Sequence, residues 1–593
     1  MCGIFLTSRP SEFDSNWQAQ GKQRLRHRGP DAQVAGEWAG IGAVHTRLAV
    51  IGLGAEGAQP MSSGDDEDVL VFNGEIVNYA VVAACRGIRV QSDTRLLLRI
   101  LSEGWHADLA ELRGMFAFVY WDARTRTLTA ARDRYGIKPL FVLRHASGAL
   151  SFASEMRVLL NHPDAQEIDP VGLAHFLAEG HTGQSGTINT NIRKLVPGHL
   201  YTWHIDLQGR ASHERMDPLG TGDWPELSVP EALEDSVRAH LVADVEVGVF
   251  LSGGVDSTLI AALAAREQPS LQAFTLGFPD SPANDETAIA RYNASLMGLR
   301  HTVVDVRADE LATVAREIVR TTGEPLGDAA VLPLALLARE AREHVPVVLA
   351  GEGADEVFGG YRRYRVDGWV DRSPSLMPDR LVRAISRHRG PSRHARSIEA
   401  VLWGRRRGFQ AHSALLTGEY PAVMEAAAAA GGAALRERLA DWADLDPVFG
   451  SRAVSYDRTI WLPNTYLEKT DRASMFSGLE VRVPFLDPVV MRSVRATDLT
   501  DQTKAPLREL LSQLVPARRL PGVKKGLAVD VHALLQGGLA NPCARELNEP
   551  DSIIGKTYGS SAQRVLAQRA QISVSLAFRI AQLGLWQEAL SDA

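Results

Sequence analysis

The chain has 593 residues, too many for one hydrophobic core, so length alone predicts about two to four domains. Hydrophobic residues make up 45% and charged residues 23%, the ordinary balance of a soluble globular protein. The formal net charge of -7 gives a bulk field that repels phosphate polymers, which argues against nucleic acid as the main partner.

The N-terminus, MCGIFLTS, has no basic region followed by a long apolar stretch, so no signal peptide is expected. Strands are predicted at Gly42–Ile51, Val69–Asn73, Phe116–Trp121 and Thr127–Arg132, short apolar or alternating runs ended by Gly, Asp or Arg. Helical patterns interrupt them at Gln18–Arg26 and Asp93–Glu103. Many strands with few helices predict an α+β layered domain over residues 1–215. Residues 216–227, Met216–Leu227, are rich in Gly, Pro and Asp and read as a linker.

From Ser228 the texture changes. Ser228-Val-Pro-Glu231 reads as a capping box that opens a helix. Strands at Val245–Leu251, Leu271–Leu276 and Val345–Leu349 then alternate with Ala- and Leu-rich helices, which predicts a doubly wound α/β parallel sheet in residues 228–593. The Arg-rich stretch Arg380–Arg407 reads as solvated helices and loops, and the Ala run Ala426–Ala430 as helix. No run of about 18 apolar residues occurs, so no membrane span is expected. Three cysteines, Cys2, Cys85 and Cys543, cannot form a disulfide framework and are not spaced like a zinc site. A reducing, cytoplasmic setting fits best.

Cys2 is the first residue with chemistry to offer. Removal of Met1 would leave a free α-amine beside the thiol, with an unperturbed pKa of about 8, so that nucleophile and base share one residue. Position alone does not establish that role. The motifs that follow do more: Arg28-Gly-Pro-Asp31, Arg47-Leu-Ala-Val-Ile51, Gln59-Pro-Met61, Asn73-Gly-Glu-Ile76, Ser92-Asp-Thr94, Gly114-Met-Phe-Ala-Phe118 and Arg132-Asp-Arg134 with Gly136-Ile-Lys-Pro139. In order and spacing they resemble the class II (N-terminal-nucleophile) glutamine amidotransferases. Thiolate attack on a carboxamide makes an oxyanion, for which the Asn73 side-chain amide and the Gly74 backbone N–H are the expected donors. The glutamine α-carboxylate needs a planar charged fork, supplied by Arg47, and the α-ammonium needs a carboxylate, supplied by Asp93. Glu75 would orient the substrate, and the resemblance adds Leu48, Val50 and Ile51 to the glutamine pocket. Taken alone, Asn73-Gly74 is also an ordinary hairpin turn. Val77 and Arg95 depart from the tyrosine and glutamate usual in the family, which affects pocket shape more than chemistry.

A second group lies in the later half. Val247–Leu251 runs into Ser252-Gly-Gly-Val-Asp-Ser257 and then a helix at Thr258–Arg266, a strand, glycine turn and helix N-terminus that can cradle an anion. Ser252, Gly253, Gly254 and Ser257 are the expected phosphate contacts, and Asp256 a Mg²⁺ ligand. There is no Walker lysine, and the loop resembles that of the ATP pyrophosphatases. Val347–Glu356 is again a strand ending in a glycine turn, with Glu352, Asp355 and Glu356 around a helix start expected near Gly353. Carboxylates are also favoured there by the helix dipole. Asp355 is the second expected metal ligand. Glu468-Lys-Thr-Asp-Arg472 offers Lys469 as a cation for charge growing during adenylation. Lys524-Lys525-Gly526 is a basic turn that would close over pyrophosphate.

These clusters resemble the synthetase half of asparagine synthetases (glutamine-hydrolysing), and the resemblance covers nearly the whole chain. It implies an N-terminal-nucleophile glutaminase fused to an ATP-pyrophosphatase domain with added helices. Leu251, Leu276, Ala350, Gly351, Glu352 and Lys525 join the ATP site by the same resemblance. The substrates it implies are glutamine, ATP as its Mg²⁺ complex and a carboxylate acceptor, by default aspartate, with no tightly bound organic cofactor. It allows a homodimer and gives no role to nucleic acid or membrane. Two departures bear on ATP: Ala350 replaces a serine, and Leu527-Ala-Val-Asp530 lacks the family's phenylalanine and proline. Rival readings are another acceptor by the same mechanism, an intramolecular ligase resembling β-lactam synthetases or lasso-peptide cyclases, a tRNA-modifying enzyme, and a silent scaffold. Retention of Cys2, Arg47, Asn73 and Asp93 argues against the intramolecular ligase.

Overall fold

The computed structural model describes residues 1–38, 40–64, 68–282, 285–361, 452–495, 504–521, 529–571 and 573–591, with Tyr364, Val423 and Ala427. The segment Arg380–Arg407, most of Ala426–Ala430 and the Lys524-Lys525-Gly526 turn lie outside the described residues. Sixteen strands are described: β1 (Cys2–Thr7), β2 (Ala32–Trp38), β3 (Ile41–Arg47), β4 (Asp68–Ile76), β5 (Gly114–Asp122), β6 (Thr127–Arg132), β7 (Phe141–Arg144), β8 (Leu150–Ala153), β9 (Ile192–Lys194), β10 (His199–Ile205), β11 (Ala211–Pro218), β12 (Val247–Phe250), β13 (Gln272–Gly277), β14 (Arg300–Asp305), β15 (Val347–Leu349) and β16 (Glu480–Arg482).

The first half is a layered α+β unit built on two antiparallel sheets, ordered β2-β3-β1-β8-β7-β9 and β11-β10-β6-β5-β4. Side chains alternate across a strand. Ile4 and Leu6 of β1 therefore face the other sheet, in a core with Val69, Val71, Ala117, Val119, Trp121 and Trp203. Phe5 points the other way, onto Phe13 and Trp17 beside the helix Ser15–Leu25. The outer face of the second sheet, Leu70, Phe72, Phe116 and Phe118, packs on Leu96, Leu97 and Ile100 of the helix Asp93–Ser102. Each sheet thus has one face on the other sheet and one on helix.

The second half carries the parallel sheet β14-β13-β12-β15-β16. Both faces are covered, which is why its central strands read as continuous apolar runs. The capping box forms as read: the Ser228 N–H and hydroxyl both reach Glu231 Oε2, at 2.9 and 2.6 Å.

Two local readings need correction, and one alternative falls away. The strand read as Gly42–Ile51 ends at Arg47, because the next residues dock elsewhere: Leu48 N–H donates to Met1 O, and Val50 O accepts from Asp244 N–H in the second half. Asn73-Gly74 is no turn; it lies inside β4, opposite Ala117 and Phe116. Met216–Pro218, read as linker, extend β11 against His199–Tyr201.

A seam of buried ion pairs joins the halves. Arg28 donates to both oxygens of Asp471 at 2.9 and 3.2 Å, and Lys138 reaches Asp471 at 3.4 Å. Arg113 pairs with Asp487 at 2.9 Å and Lys194 with Glu468 at 3.5 Å. Charges so far from water persist only when paired with good geometry.

Candidate active sites

Cys2 opens the central strand β1, opposite Arg47 of β3. Its backbone N–H donates to Asn73 Oδ1 at 2.9 Å. The other end of that amide, Asn73 Nδ2, is buried with no hydrogen-bond partner. An orphaned buried donor is costly, so it is a place where a substrate oxygen would be welcome. Gly74 has φ +152°, and a Cβ there would meet Met115 O at 2.1 Å. Glycine is therefore required by close approach to β5, a reason the motif alone did not give.

The rest of the pocket is acidic and dry. Glu75 and Asp93 are both buried, and burial is the first cause pushing each carboxyl up, with neighbouring carboxylates adding to it. Asp93 begins the helix capped by Ser92 and accepts from Ile76 N–H at 3.1 Å and Thr94 N–H at 2.6 Å. Arg47 lies in the pocket wall, donating to the carbonyls of Gly52 and Gly54. Leu48, Val50 and Ile51 are buried beside it.

The second half closes this pocket with residues whose role the motifs did not announce. Glu480 of β16 accepts from the Met1 ammonium at 3.0 Å and from Arg482 at 2.6 Å, and Arg482 approaches Glu75 at 4.0 Å. Burial works against charge on the ammonium, but Glu480, Cys2 and Glu75 together hold its pKa above the ordinary value. The Cys2 thiol is pushed up by burial, against the lowering effects of that ammonium, Leu48 N–H and Arg47. With Met1 attached, burial thus favours the neutral thiol, and the terminal ammonium is already bound to a carboxylate.

The second site lies where β13, β12 and β15 end side by side, placing Leu276, Leu251 and Ala350 at one sheet edge. Ligands of open parallel sheets bind beyond such strand ends. The Ser252–Ser257 turn is tightly self-bonded: Ser252 N–H donates to Ser257 Oγ at 3.0 Å, and the two hydroxyls are 2.9 Å apart. Gly253 N–H is held by Glu286 at 3.1 Å, so part of the expected anion cradle is met by protein. Gly351 packs so closely that an added Cβ would sit 3.0 Å from Ser257 N. The helix read from Thr258 begins at Val255, with Asp256 in its first turn.

Asp256 and Asp355 converge. Lys504 Nζ lies 2.7 Å from an oxygen of each, so one cation already bridges the two carboxylates. Gly360 makes room for this, since a Cβ there would fall 1.7 Å from Asp355 Oδ1. That convergence is the geometry a Mg²⁺ ion needs from its one or two protein carboxylates, so the pair fits the ion. The second helix begins at Ala354, after Gly353 at φ +87°; Asp355 and Glu356 are in its first turn and Glu352 precedes it.

Lys469 is buried. Its partner is Asp328 at 3.1 Å, with the Tyr466 ring 4.7 Å from the ammonium, and Asp328 is the largest influence raising its pKa against burial. Glu352 adds to that rise and accepts from Thr470 Oγ at 3.5 Å, so the structure brings Lys469 and Glu352 to one place. Asp328, Lys504, Glu286, Glu480 and Arg482 are the residues sequence reasoning missed. Lys525 is outside the described residues.

Comparison with known proteins gives the family. Residues 228–588 match the family model described as asparagine synthase, and residues 1–213 the one described as glutamine amidotransferase domain. A putative asparagine synthetase (glutamine-hydrolyzing) of Mycobacterium tuberculosis (strain ATCC 25618 / H37Rv) is 36% identical over 580 residues, spanning 88% of this chain and 85% of the relative. Asparagine synthetase (glutamine-hydrolyzing) 1 of Bacillus subtilis (strain 168) is 30% identical over 91% of this chain and 88% of its own length. Amidase chyE of Penicillium rubens is 30% identical over 62% and 60%. The fold and its two sites define an ATP-dependent carbon–nitrogen ligase with glutamine as nitrogen donor. The chain belongs to the asparagine synthetase (glutamine-hydrolysing) family. Among the described residues no helix is long and apolar enough to cross a membrane.

Proposed function

We propose that the protein amidates a carboxylate, by default L-aspartate to L-asparagine, in a cytoplasmic setting. Residues 1–215 would release ammonia from glutamine, and residues 228–593 would activate and amidate the acceptor, with 216–227 between them. The observation that carries this is one chain with two separate constellations. Cys2 sits beside an orphaned Asn73 amide, and Asp256 and Asp355 converge on one cation beside the Ser252–Ser257 turn.

In the first site, loss of Met1 would place the amine on Cys2 itself, where it can take the thiol proton. Asn73 Nδ2 and a backbone N–H at Gly74 would receive the oxyanion. Arg47 and Asp93 would hold the two ends of glutamine, with Leu48, Val50, Ile51 and Glu75 shaping the pocket. In the second, Ser252, Gly253, Gly254 and Ser257 would hold ATP phosphates, while Leu251, Leu276, Ala350 and Gly351 frame the adenine and ribose. Mg²⁺, held by Asp256 and Asp355, would neutralise phosphate charge, and Lys504 would have to move off them. Lys469 would meet charge growing on the acyl and phosphate oxygens, and Glu352 would receive a proton from the attacking nitrogen. Lys525 would close over pyrophosphate. Ammonia would cross within the protein, since in bulk water at neutral pH it is mostly protonated and unreactive.

The test is a pyrophosphate-release screen over candidate carboxylates, with glutamine and then ammonium as nitrogen source. AMP and pyrophosphate should form with aspartate; ADP would sink the nucleotide assignment, and release only with another carboxylate would change the acceptor. The amidase relative makes that second outcome worth including in the screen. Asp256→Asn should cripple synthesis from either nitrogen source while glutamine hydrolysis survives.

A further inference from the structure

At one end of the first sheet the turn between β7 and β8 meets the short turn Pro163–Ala165, and two imidazoles and a carboxylate come together there. His145 Nδ1 and His162 Nδ1 stand 3.6 and 3.4 Å from the same oxygen, Asp164 Oδ2. One ligand atom from each residue falls within 4.8 Å of the others, and the two rings lie edge to face with centroids 4.2 Å apart. Nitrogen–oxygen hydrogen bonds end near about 3.2 Å, so these contacts are too long to be good ones. Two ligands bound tetrahedrally at about 2.1 Å to one ion would instead be about 3.4 Å apart.

We propose that His145, His162 and Asp164 bind a first-row divalent transition ion of the Zn²⁺ class, with water completing a four-coordinate shell. The support around them has the form such a site needs. Ser151 Oγ donates to Thr7 Oγ1 at 2.9 Å and lies 2.7 Å from His145 Nε2. When Nε2 carries the proton and donates to that hydroxyl, Nδ1 is the ligating atom, the outer-shell arrangement of metal-binding histidines. Asp164 Oδ2 is held by Ala146 N–H at 2.9 Å. The turn beneath is clamped by Asn191 Nδ2 to Asp164 O at 2.8 Å and Asn189 Nδ2 to Ala165 O at 2.6 Å. His145 is almost wholly buried, whereas the His162 and Asp164 side chains are 21% and 24% exposed, which leaves an entry path. Asp164 N–H also donates to His162 Nδ1 at 3.1 Å, and the ring must turn slightly to release that lone pair. The ion would pin the β7–β8 turn to the 163–165 turn and, through Ser151 and Thr7, brace the strand that starts at Cys2, without touching either active site.

The test uses the full chain without a histidine tag, stripped with a chelator and titrated with Co²⁺ followed by visible absorption, and with Zn²⁺ followed by calorimetry and thermal unfolding. One equivalent should bind and raise Tm. His162→Ala and Asp164→Asn should each weaken binding by about tenfold or more, and Ser151→Ala by about tenfold. Glutamine hydrolysis by metal-free His162→Ala should match the wild type. If His162→Ala fails to fold, Asp164→Asn, which keeps an acceptor for Ala146 N–H, decides the matter. Absence of saturable binding, or equal affinity in wild type and variants, overturns the proposal.

Discussion

Around Cys2 the carboxylates Glu75 and Asp93 are buried and driven toward their neutral forms, and one face of the pocket belongs to the other half of the chain through Glu480 and Arg482. Around the Ser252–Ser257 turn, Asp256 and Asp355 keep a cation between them and lie beyond the ends of parallel strands. The first arrangement suits a small uncharged carboxamide in a dry site, where a single orphaned donor is worth several kcal/mol. The second suits a polyanion, which needs exchangeable cations and turn backbone more than dryness. The difference teaches that the two sites share a chain but not a solvent environment, so damage should stay local except where the seam is cut.

The sharpest break is Cys2→Ala. Glutamine-dependent synthesis should fall by about three orders of magnitude or more, while ammonium-dependent synthesis persists. Intact mass of the active wild type should lack Met1, because a retained Met1 leaves the thiol driven up by burial and the amine on Glu480. Equal loss of both activities in folded protein would end the two-site comparison.

Cutting the seam should abolish that locality. Asp471 neutralises Arg28 and Lys138 in a fully buried position. Asp471→Ala strands Lys138, leaves Arg28 with Glu155 alone and should cost about 3–5 kcal/mol, seen in chemical denaturation, with both activities depressed together. A variant as stable as wild type would mean the seam is wetter than its geometry implies.

Lys469→Ala should lower synthesis by about a hundredfold and spare glutamine hydrolysis. Pyrophosphate–ATP exchange then divides the steps: lost exchange puts Lys469 at adenylation, retained exchange at ammonia attack. Near-normal synthesis would reduce it to a structural partner of Asp328 and Tyr466.

The architecture was largely legible because it rests on local signals. Ser228 and Glu231 are three residues apart, and the Ser252–Ser257 turn is bounded by its own strand and helix. The Cys2, Arg47, Asn73 and Asp93 cluster was legible only as a set, since each element alone had an ordinary reading. What stayed hidden depends on distant chain meeting. Glu480 and Arg482 matter because β16 is an edge strand abutting the N-terminus 479 residues away. Lys504 and Asp328 carry no spacing signal, and their roles appear only when Lys504 reaches Asp256 across 248 residues and Lys469 reaches Asp328 across 141. Leu48–Ile51 misled for the same reason: a β-like run was drawn off the sheet by Asp244.

The smallest expected effect separates two neighbouring carboxylates of the dry site by sign. Glu75 is raised, first by burial and then by Glu480 and Asp93. A carboxyl with a raised folded pKa contributes stability that is full below its unfolded value and is lost as pH climbs toward the folded one. Glu480 runs the other way, since the Met1 ammonium and Arg482 outweigh its burial and hold it well below the ordinary range. Its contribution is present above the unfolded value near pH 4.5 and is lost as pH falls toward the folded one. Glu75→Gln should therefore shift the urea midpoint upward relative to wild type at pH 8 and very little at pH 4.5. Glu480→Gln should shift it downward at pH 8, because Arg482 then lies buried beside a neutral amide. Removal of Met1 takes away one of the two cations on Glu480, so processed protein should show the smaller downward shift of the two forms. Parallel shifts in the two variants would mean that the carboxylates share one environment, and that the pocket around Cys2 is not divided between the halves of the chain in the way its ion pairs imply.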